Sequence, residues 1–364
     1  MKLQRHQKIN HFHGMLEICR KNRMGRNLAK MARVLPREYD YFPRTYVLPE
    51  EMEEFLLAFT RRKRRTYILK PDAGCQGKGI KLVQTFEQAQ RAFRDYTEHG
   101  VSQLVAQRYL LKPLLVNGFK FDLRVYVVVI SVDPLRIFAF REGLARFCTE
   151  KYEAPSGDNL ELGFMHLTNY AVNKKNSNFV FNNDASVGDD GSKWSMTGEA
   201  RATVSCEGGA DACDPHPCAA ALGEHLEDMG FSWEETWASI CDIAVKTVIS
   251  IQPLLRSLYR SAVPPDNDGF SCFEILGMDI LLDHKCRPQL LECNHSPSFT
   301  VDTPLDLAIK EQLIKETIAL ARIDPELIRK RKATARRAAE RRLLNTGTTK
   351  KVSEMSGQEI RQER

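Results

Sequence analysis

The chain has no long hydrophobic run. Its longest, Val125 to Val132 (VYVVVISV), falls far short of the about 20 apolar residues a helix needs to cross a bilayer. The first ten residues, MKLQRHQKIN, are polar and basic, with no apolar stretch behind them, so no secretory leader is expected. Ten cysteines are spread from Cys19 to Cys293 without framework spacing, which suits a reducing compartment rather than a cross-linked secreted scaffold. There is no Walker A sequence, no GxGxxG opening a helix, no internal repeat and no nucleic-acid reading motif. These absences lead to the expectation of a soluble cytoplasmic protein that binds neither nucleic acid nor membrane.

The 364 residues are enough for two or three packed units. Hydrophobic residues make up 43% and charged ones 27%, values ordinary for a globular enzyme. The net charge of +6 is unevenly placed. From Glu326 to Arg364 twelve Lys/Arg stand against five Asp/Glu, so the rest of the chain is close to neutral, at −1. That tail contains ATARRAAERRLL, rich in helix formers, and a second basic cluster runs from Arg61 to Arg65. Either could attract an acidic polymer or be a solvated face.

The apolar spacing of Ile18, Met24, Leu28, Met31 and Leu35 predicts a helix closed by Pro36. Pro43 and Pro49 favour extended chain between them. A strand (TYILK), a glycine-rich loop (DAGCQGKG), a strand (IKLV) and an amphipathic helix ending at Gly100 follow. QLVAQRYL, FKFDLRVYVVVIS and LRIFAFRE then read as strands in a meander, which excludes a run of βαβ units. Residues 182–230 are small and polar and read as an insertion. Cys206, Cys213, His216 and Cys218 within it are spaced irregularly for a zinc site. One helix (SWEETWASICDIAVKTVISIQPLLRSLYRSA), a hairpin (CFEILGMDILLD, PQLLECN) and a helix from about Leu305 to Arg322 complete the pattern.

Three features could carry chemistry. A hairpin turn centred between Lys285 and Cys286 sets Asp279 opposite Glu292, with Asn294 on the same face. Opposed carboxylates repel unless a cation lies between them. An Asp, Glu and Asn set is hard oxygen ligation suited to Mg²⁺ with phosphates, although the same pattern fits a solvated ribbon. Lys70 and the loop through Gly74, Gly77, Lys78 and Gly79 offer backbone N–H groups and positive charge to phosphate, or else form a solvated hairpin. Lys120, Asp122 and Arg124 alternate with Phe119, Phe121 and Leu123 on a strand that becomes wholly apolar, so the charged face should line a cleft. Arg146 adds a guanidinium for carboxylate or phosphate. Together these suggest phosphoryl transfer from ATP.

The strings YILKPDAGCQGKGI, VAQRYLLKPLLVNGFKFDLRVYVVV, EGLARFCTEKY, HLTNYAVNK, GSKWSM, FEILGMDILLD and LLECNHSPSF, in this order from Tyr67 to Phe299, resemble the tubulin tyrosine ligase-like family of the ATP-grasp superfamily. ICRKN and YFPRTYVLP extend the likeness. The polyglutamylase branch looks nearest.

The resemblance implies an α+β ATP-grasp fold with mixed or antiparallel sheets and a nucleotide cleft between central and C-terminal domains. The expected divisions are a partial N-terminal domain (1–66), a central domain (67–110), a C-terminal domain (111–325, with the insertion) and a basic helical tail (326–364). The family's N-terminal domain has further strands before the segment matching Lys8 to His11, so the resemblance also implies a shortened start. ATP would be held by Lys70, Gln76, Gly77 and Lys78, by the segment Gln107, Arg108, Tyr109 and Leu110, and by Lys120, Phe121, Asp122, Thr168 and Asn169. Mg²⁺ would sit on Asp279, Glu292 and Asn294. Arg146, Tyr170 and Lys193 would hold free L-glutamate, Arg124 would stabilise the transferring phosphoryl group, and His295 would face the acceptor as in chain elongators. The implied reaction makes an acyl phosphate on an acidic tubulin tail and then an amide with glutamate. The implied setting is a monomer on the microtubule cytoskeleton, with cilium or basal body included. A glycine-adding ligase, a ligase for other acidic proteins, or a catalytically silent microtubule binder are the alternatives. Cys293 stands where the family usually has an aliphatic residue.

Overall fold

The computed structural model describes residues 7–60, 65–72, 74, 77–180, 191–197, 221–263, 269–323 and 325–353. Gln76, the sulfur-rich part of the insertion and Arg61 to Arg64 lie outside the described residues. In chain order the elements are α1 (Leu16–Cys19), α2 (Lys21–Val34), β1 (Thr45–Leu48), α3 (Met52–Thr60), β2 (Tyr67–Pro71), β3 (Lys81–Val83), α4 (Phe86–Glu98), β4 (Leu104–Arg108), β5 (Leu115–Val116), β6 (Phe119–Val132) and β7 (Leu135–Lys151). There follow α5 (Gly163–His166), α6 (Tyr170–Asn173), β8 (Lys193–Ser195), α7 (Leu222–Asp228), α8 (Trp233–Ile249), α9 (Gln252–Ala262), β9 (Glu274–Leu282), β10 (Pro288–Asn294), α10 (Pro304–Leu320) and α11 (Pro325–Ser353).

The strands form two antiparallel sheets. One has the order β1-β4-β2-β3, the other β10-β9-β6-β7-β8 with β5 paired to β6. β6 explains the larger sheet. Its Leu123, Val125, Val127 and Val129 pack under α2, α8 and α9 with Met24, Leu28, Ile240 and Leu255. Its Tyr126, Val128 and Ile130 face α10 through Leu305, Ile309 and Leu313. Cover on both faces is why the sequence there is apolar at every position. Towards the start of β6 the α10 face changes to Lys120, Asp122 and Arg124, because the helix no longer covers it and a cleft opens instead. The smaller sheet packs Tyr46, Tyr67, Leu69 and Leu104 against Phe55, Ala89 and Tyr96 of α3 and α4. α4 begins with a reciprocal cap: Thr85 Oγ1 accepts from Gln88 N, and Gln88 Oε1 accepts from Thr85 N, both at 3.2 Å.

Four expectations need correction. Residues 1–66 are not a separate unit: β1 pairs with β4 in the smaller sheet, while Ile18 and Met24 belong to the core of the larger one. The first helix breaks at Arg20, whose backbone is extended. The long helix after Ser232 is two, bent by 56° where α9 restarts with proline in its first turn. Both ends of the expected insertion belong to the fold, since β8 pairs with β7 and Trp194, Met196, Leu222 and Leu226 are core residues. Among the described residues no single helix is long and apolar enough to span a membrane. α11 begins within one residue of the expected tail boundary, and its described side chains are mostly exposed.

β8 is held by Glu142, a buried carboxylate on β7 that accepts from Gly143 N, Ser195 Oγ, Met196 N, Thr197 N and Thr197 Oγ1. At the neighbouring Gly143 an added Cβ would lie 2.5 Å from the Arg124 carbonyl oxygen and 2.7 Å from Met196 Sδ. Gly143→Ala should therefore cost about 1–3 kcal/mol by overpacking. Gly157→Ala, with open space around it, should change stability by less than about 0.5 kcal/mol. Paired denaturant midpoints check both.

Candidate active site

A cleft of about 860 Å³ lies between the two sheets. Five strands of the larger sheet contribute one row of charges to it. Glu292 on β10 faces Asp279 on β9, Asp279 faces Arg124 on β6, Asp122 on β6 faces Arg146 on β7, and Arg146 faces Lys193 on β8. The row is negative at the β10 edge, mixed at β6 and positive at the β8 edge.

The middle of the row is nearly free of solvent. Arg124 grips Asp279 through Nε at 2.6 Å and Nη2 at 3.1 Å. Arg146 grips Asp122 through Nε at 2.8 Å and Nη2 at 2.5 Å, and its Nη2 also reaches Asp279 at 3.0 Å. Burial alone would raise the Asp279 carboxyl, but Arg124 and then Arg146 outweigh it and hold it well below the ordinary carboxylate range. At the positive edge Lys193 donates to Asp306 Oδ2 at 2.8 Å and lies 3.8 Å from the centre of the Tyr170 ring. At the negative edge Asn294 Nδ2 donates to Glu292 Oε1 and to the Gly277 carbonyl, each at 3.3 Å.

The pairing of Asp279 with Glu292 is as expected, but its route is not. Next to the turn Leu290 faces Ile280, and a bulge at Leu291 then shifts the register so that Glu292 meets Asp279.

The smaller sheet supplies the opposite wall. Lys70 is buried and donates to Gln107 Oε1 at 2.8 Å, while Gln107 Nε2 donates to Thr45 Oγ1 at 3.1 Å. Burial pulls the Lys70 ammonium down to about 8. Lys120, on β6 of the larger sheet, is also buried and donates to Tyr109 Oη at 2.9 Å and to the His166 carbonyl at 2.7 Å, and burial lowers its pKa too. In the glycine loop Gly77 and Gly79 have φ of +73° and +69°, and a Cβ at Gly77 would lie 2.6 Å from Val172 Cγ2. Only glycine lets the loop close on α6 in this way. Ile68, Leu82 and Tyr109, with Ile80 and Leu167, form an apolar wall beside it.

Of the residues singled out from sequence, Lys70, Gly77, Lys78, Gln107, Arg108, Tyr109, Leu110, Lys120, Asp122, Arg124, Arg146, Thr168, Asn169, Tyr170, Lys193, Asp279, Glu292 and Asn294 line this one cleft. Two do not. Phe121 turns into the core beside Phe147, because strand alternation puts it on the face opposite Lys120 and Asp122. His295 lines a second cavity of about 480 Å³ with His11 and Glu274. Sequence reading missed Lys21, which lies 3.5 Å from Glu292 and donates to the Gly74 carbonyl at 2.9 Å. It also missed Asp306, which receives Lys310 as well as Lys193. The only signal for the second pair was the i, i+4 spacing of Asp306 and Lys310.

Among the described residues no group of three or more His, Cys, Asp or Glu side chains forms a metal site. The candidate set is instead two carboxylates and an amide, an oxygen-donor set of the kind a hard cation takes, with Asp279 also resting on Arg124 and Arg146 and Glu292 lying 3.5 Å from Lys21.

Lysines around a glycine loop, paired carboxylates and a basic far edge thus meet in one cleft. The chain belongs to the tubulin-tyrosine ligase family, whose profile matches residues 1–211 and 215–331. It is 45% identical over 325 residues to human tubulin polyglutamylase TTLL13, covering 89% of this chain and 35% of that protein. It is 43% identical over 321 residues to zebrafish (Danio rerio) tubulin polyglutamylase ttll6, covering 88% and 36%. Over 321 residues it is 42% identical to a probable beta-tubulin polyglutamylase of Tetrahymena thermophila, covering 88% and 24%. The chain thus spans about a third or less of the length of these relatives.

Lys70 sets a stability test with a defined sign. Its folded pKa of about 8 lies below the unfolded value of about 10.4. Between those values the unfolded chain binds more protons, so this group makes stability rise with pH across that window. Relative to Lys70→Met, the wild-type protein should gain roughly 3 kcal/mol between pH 7 and pH 11. Denaturant midpoints of both proteins across that range check it.

Proposed function

We propose that the chain is the catalytic part of an ATP-dependent glutamate ligase of ATP-grasp type, adding or extending glutamate chains on acidic tubulin tails through an acyl phosphate. The observation that carries this reading is the charge row, extended by Lys120 on β6, facing Lys70 of the smaller sheet across one cleft. The family relatives named as tubulin polyglutamylases support the choice of reaction and acceptor.

The apolar wall of Ile68 and Leu167 suits adenine, with Gln107 to Leu110 at its edge. Lys70, Lys120 and the glycine loop suit the phosphates. Mg²⁺ would be held by Asp279, Glu292 and Asn294, and when bound it would offset polyphosphate charge. Arg124, central in the row beside Asp279, would stabilise the negative charge that builds as the γ-phosphoryl group passes to the acceptor carboxylate. Phosphorylation gives that poor electrophile a leaving group. The glutamate amine then attacks the carbonyl carbon, the amide forms and phosphate departs. Arg146 and Lys193 form the cationic edge suited to the carboxylates of free glutamate, and Tyr170 closes over Lys193. The exposed basic face of α11 suits an acidic tail or the microtubule surface.

Glu292→Gln should abolish glutamate incorporation into tubulin, a loss of at least about 100-fold, with an unchanged denaturation midpoint. Labelled glutamate and labelled glycine supplied in parallel with ATP, followed by mass spectrometry of tubulin tails, check the reading. Undiminished incorporation by the variant would remove the metal assignment, and glycine incorporation alone would replace the glutamate one.

A further inference from the structure

The geometry points to an oxidation site beside the cleft: Cys19 and Cys293 close to a disulfide that disables nucleotide binding. The bond is argued from this chain's own thiols, while its effect rests on the ligase reading.

The two sulfurs are 3.9 Å apart, and both are free thiols. A disulfide needs about 2 Å, so they must approach by about 2 Å. Cys293 is buried on β10, in register with Met278 of β9. Cys19, half-buried, is the last residue of the four-residue α1, and the chain at Arg20 is extended before α2 begins. β10 is an edge strand already interrupted by its bulge.

Neither partner can move alone. Cys293 sits between Glu292 and Asn294, so a shift of β10 moves both proposed metal ligands. Two residues beyond Cys19, Lys21 touches Glu292 at 3.5 Å and the Gly74 carbonyl of the glycine loop at 2.9 Å. A shift of α1 therefore pulls on the same two elements. Whichever side yields, the cleft is distorted.

The oxidant is a peroxide. The Cys19 sulfur attacks one oxygen of hydrogen peroxide, the O–O bond breaks, and the departing hydroxide takes the thiol proton to leave as water. The Cys293 sulfur then attacks the sulfenic sulfur of Cys19, the S–O bond breaks, and the second water leaves with the Cys293 proton. Two thiols lose two electrons and the peroxide becomes two waters.

The full chain is treated with hydrogen peroxide, its remaining thiols are blocked, and its peptides are mapped without reduction, while Mg²⁺·ATP affinity is measured by calorimetry. Expected are a Cys19–Cys293 cross-linked peptide lighter by two hydrogens and an affinity weakened about tenfold, the scale of disturbing the groups that orient metal ligands. Dithiothreitol should restore it. Cys19→Ser and Cys293→Val should bind Mg²⁺·ATP like the reduced wild type and resist peroxide. A map with other cysteines oxidised and these two unlinked would overturn the site. So would a Cys19→Ser protein that loses affinity as fast as wild type. If the reduced wild type binds no Mg²⁺·ATP, the ligase reading fails, and the peptide map alone judges the thiol pair.

Discussion

Six charged side chains in register across five strands are the constraint on which the rest of this structure depends. Asp122, Asp279 and Arg146 are buried, and Arg124 is close to it. Removing such groups from water costs several kcal/mol each unless geometry returns it. Here the return comes from two bidentate arginine–carboxylate pairs and from the bridge of Arg146 to Asp279. Such geometry is only kept by a rigid support, and the apolar run of β6, packed on both faces, supplies it. The core beneath the row is thus a condition of the geometry above it.

The two sheets are held in register by a few polar ties. Asn22 at the start of α2 donates its backbone N–H to Asp72 Oδ1 and its Nδ2 to Gln103 Oε1, at 2.9 and 2.8 Å. Lys21 bridges Glu292 and the glycine loop. The α1–α2 junction therefore meets both walls of the cleft while its apolar side chains sit in the larger core. Lys70 is tied within the smaller sheet through Gln107 to Thr45, which fixes where its ammonium ends. A buried lysine of depressed pKa weakens the fold at neutral pH.

Much of this was legible in the sequence because it is local. Strand alternation separates Lys120, Asp122 and Arg124 from Phe121 and Leu123, and the apolar continuation identifies a central strand. The glycine loop announces its positive φ angles. What could not be read is what depends on partners distant in the chain. Whether a cation points at phosphate or rests on a carboxylate is set by residues more than a hundred positions away, as with Arg124 and Asp279 or Lys193 and Asp306. The assignment of β1 to the smaller sheet is likewise a long-range choice, since a four-residue strand carries no mark of its partner. Phe121, which the resemblance set beside the nucleotide, packs on Phe147 on the face opposite Lys120 and Asp122, as the alternation of the strand requires.

The hairpin shows how narrow the margin is between those two kinds of information. Without a bulge, the register beside its turn would set Leu291 opposite Asp279 and Glu292 opposite Met278, a core residue. A carboxylate would then point into the apolar core and a leucine into the cleft, because a one-residue slip exchanges the faces of a strand. The bulge at Leu291 absorbs the extra residue, so that Leu290 and Cys293 enter the core while Glu292 and Asn294 enter the cleft. The paired leucines of LLECN, which break strict alternation just before it resumes, are the trace of that bulge in the sequence. The register that holds beside the turn, with Leu290 facing Ile280, would have placed the carboxylate wrongly had it continued. Burial of Leu290 and Cys293 on one face, and solvation of Glu292 on the other, select the bulged register that gives the cleft its second acid.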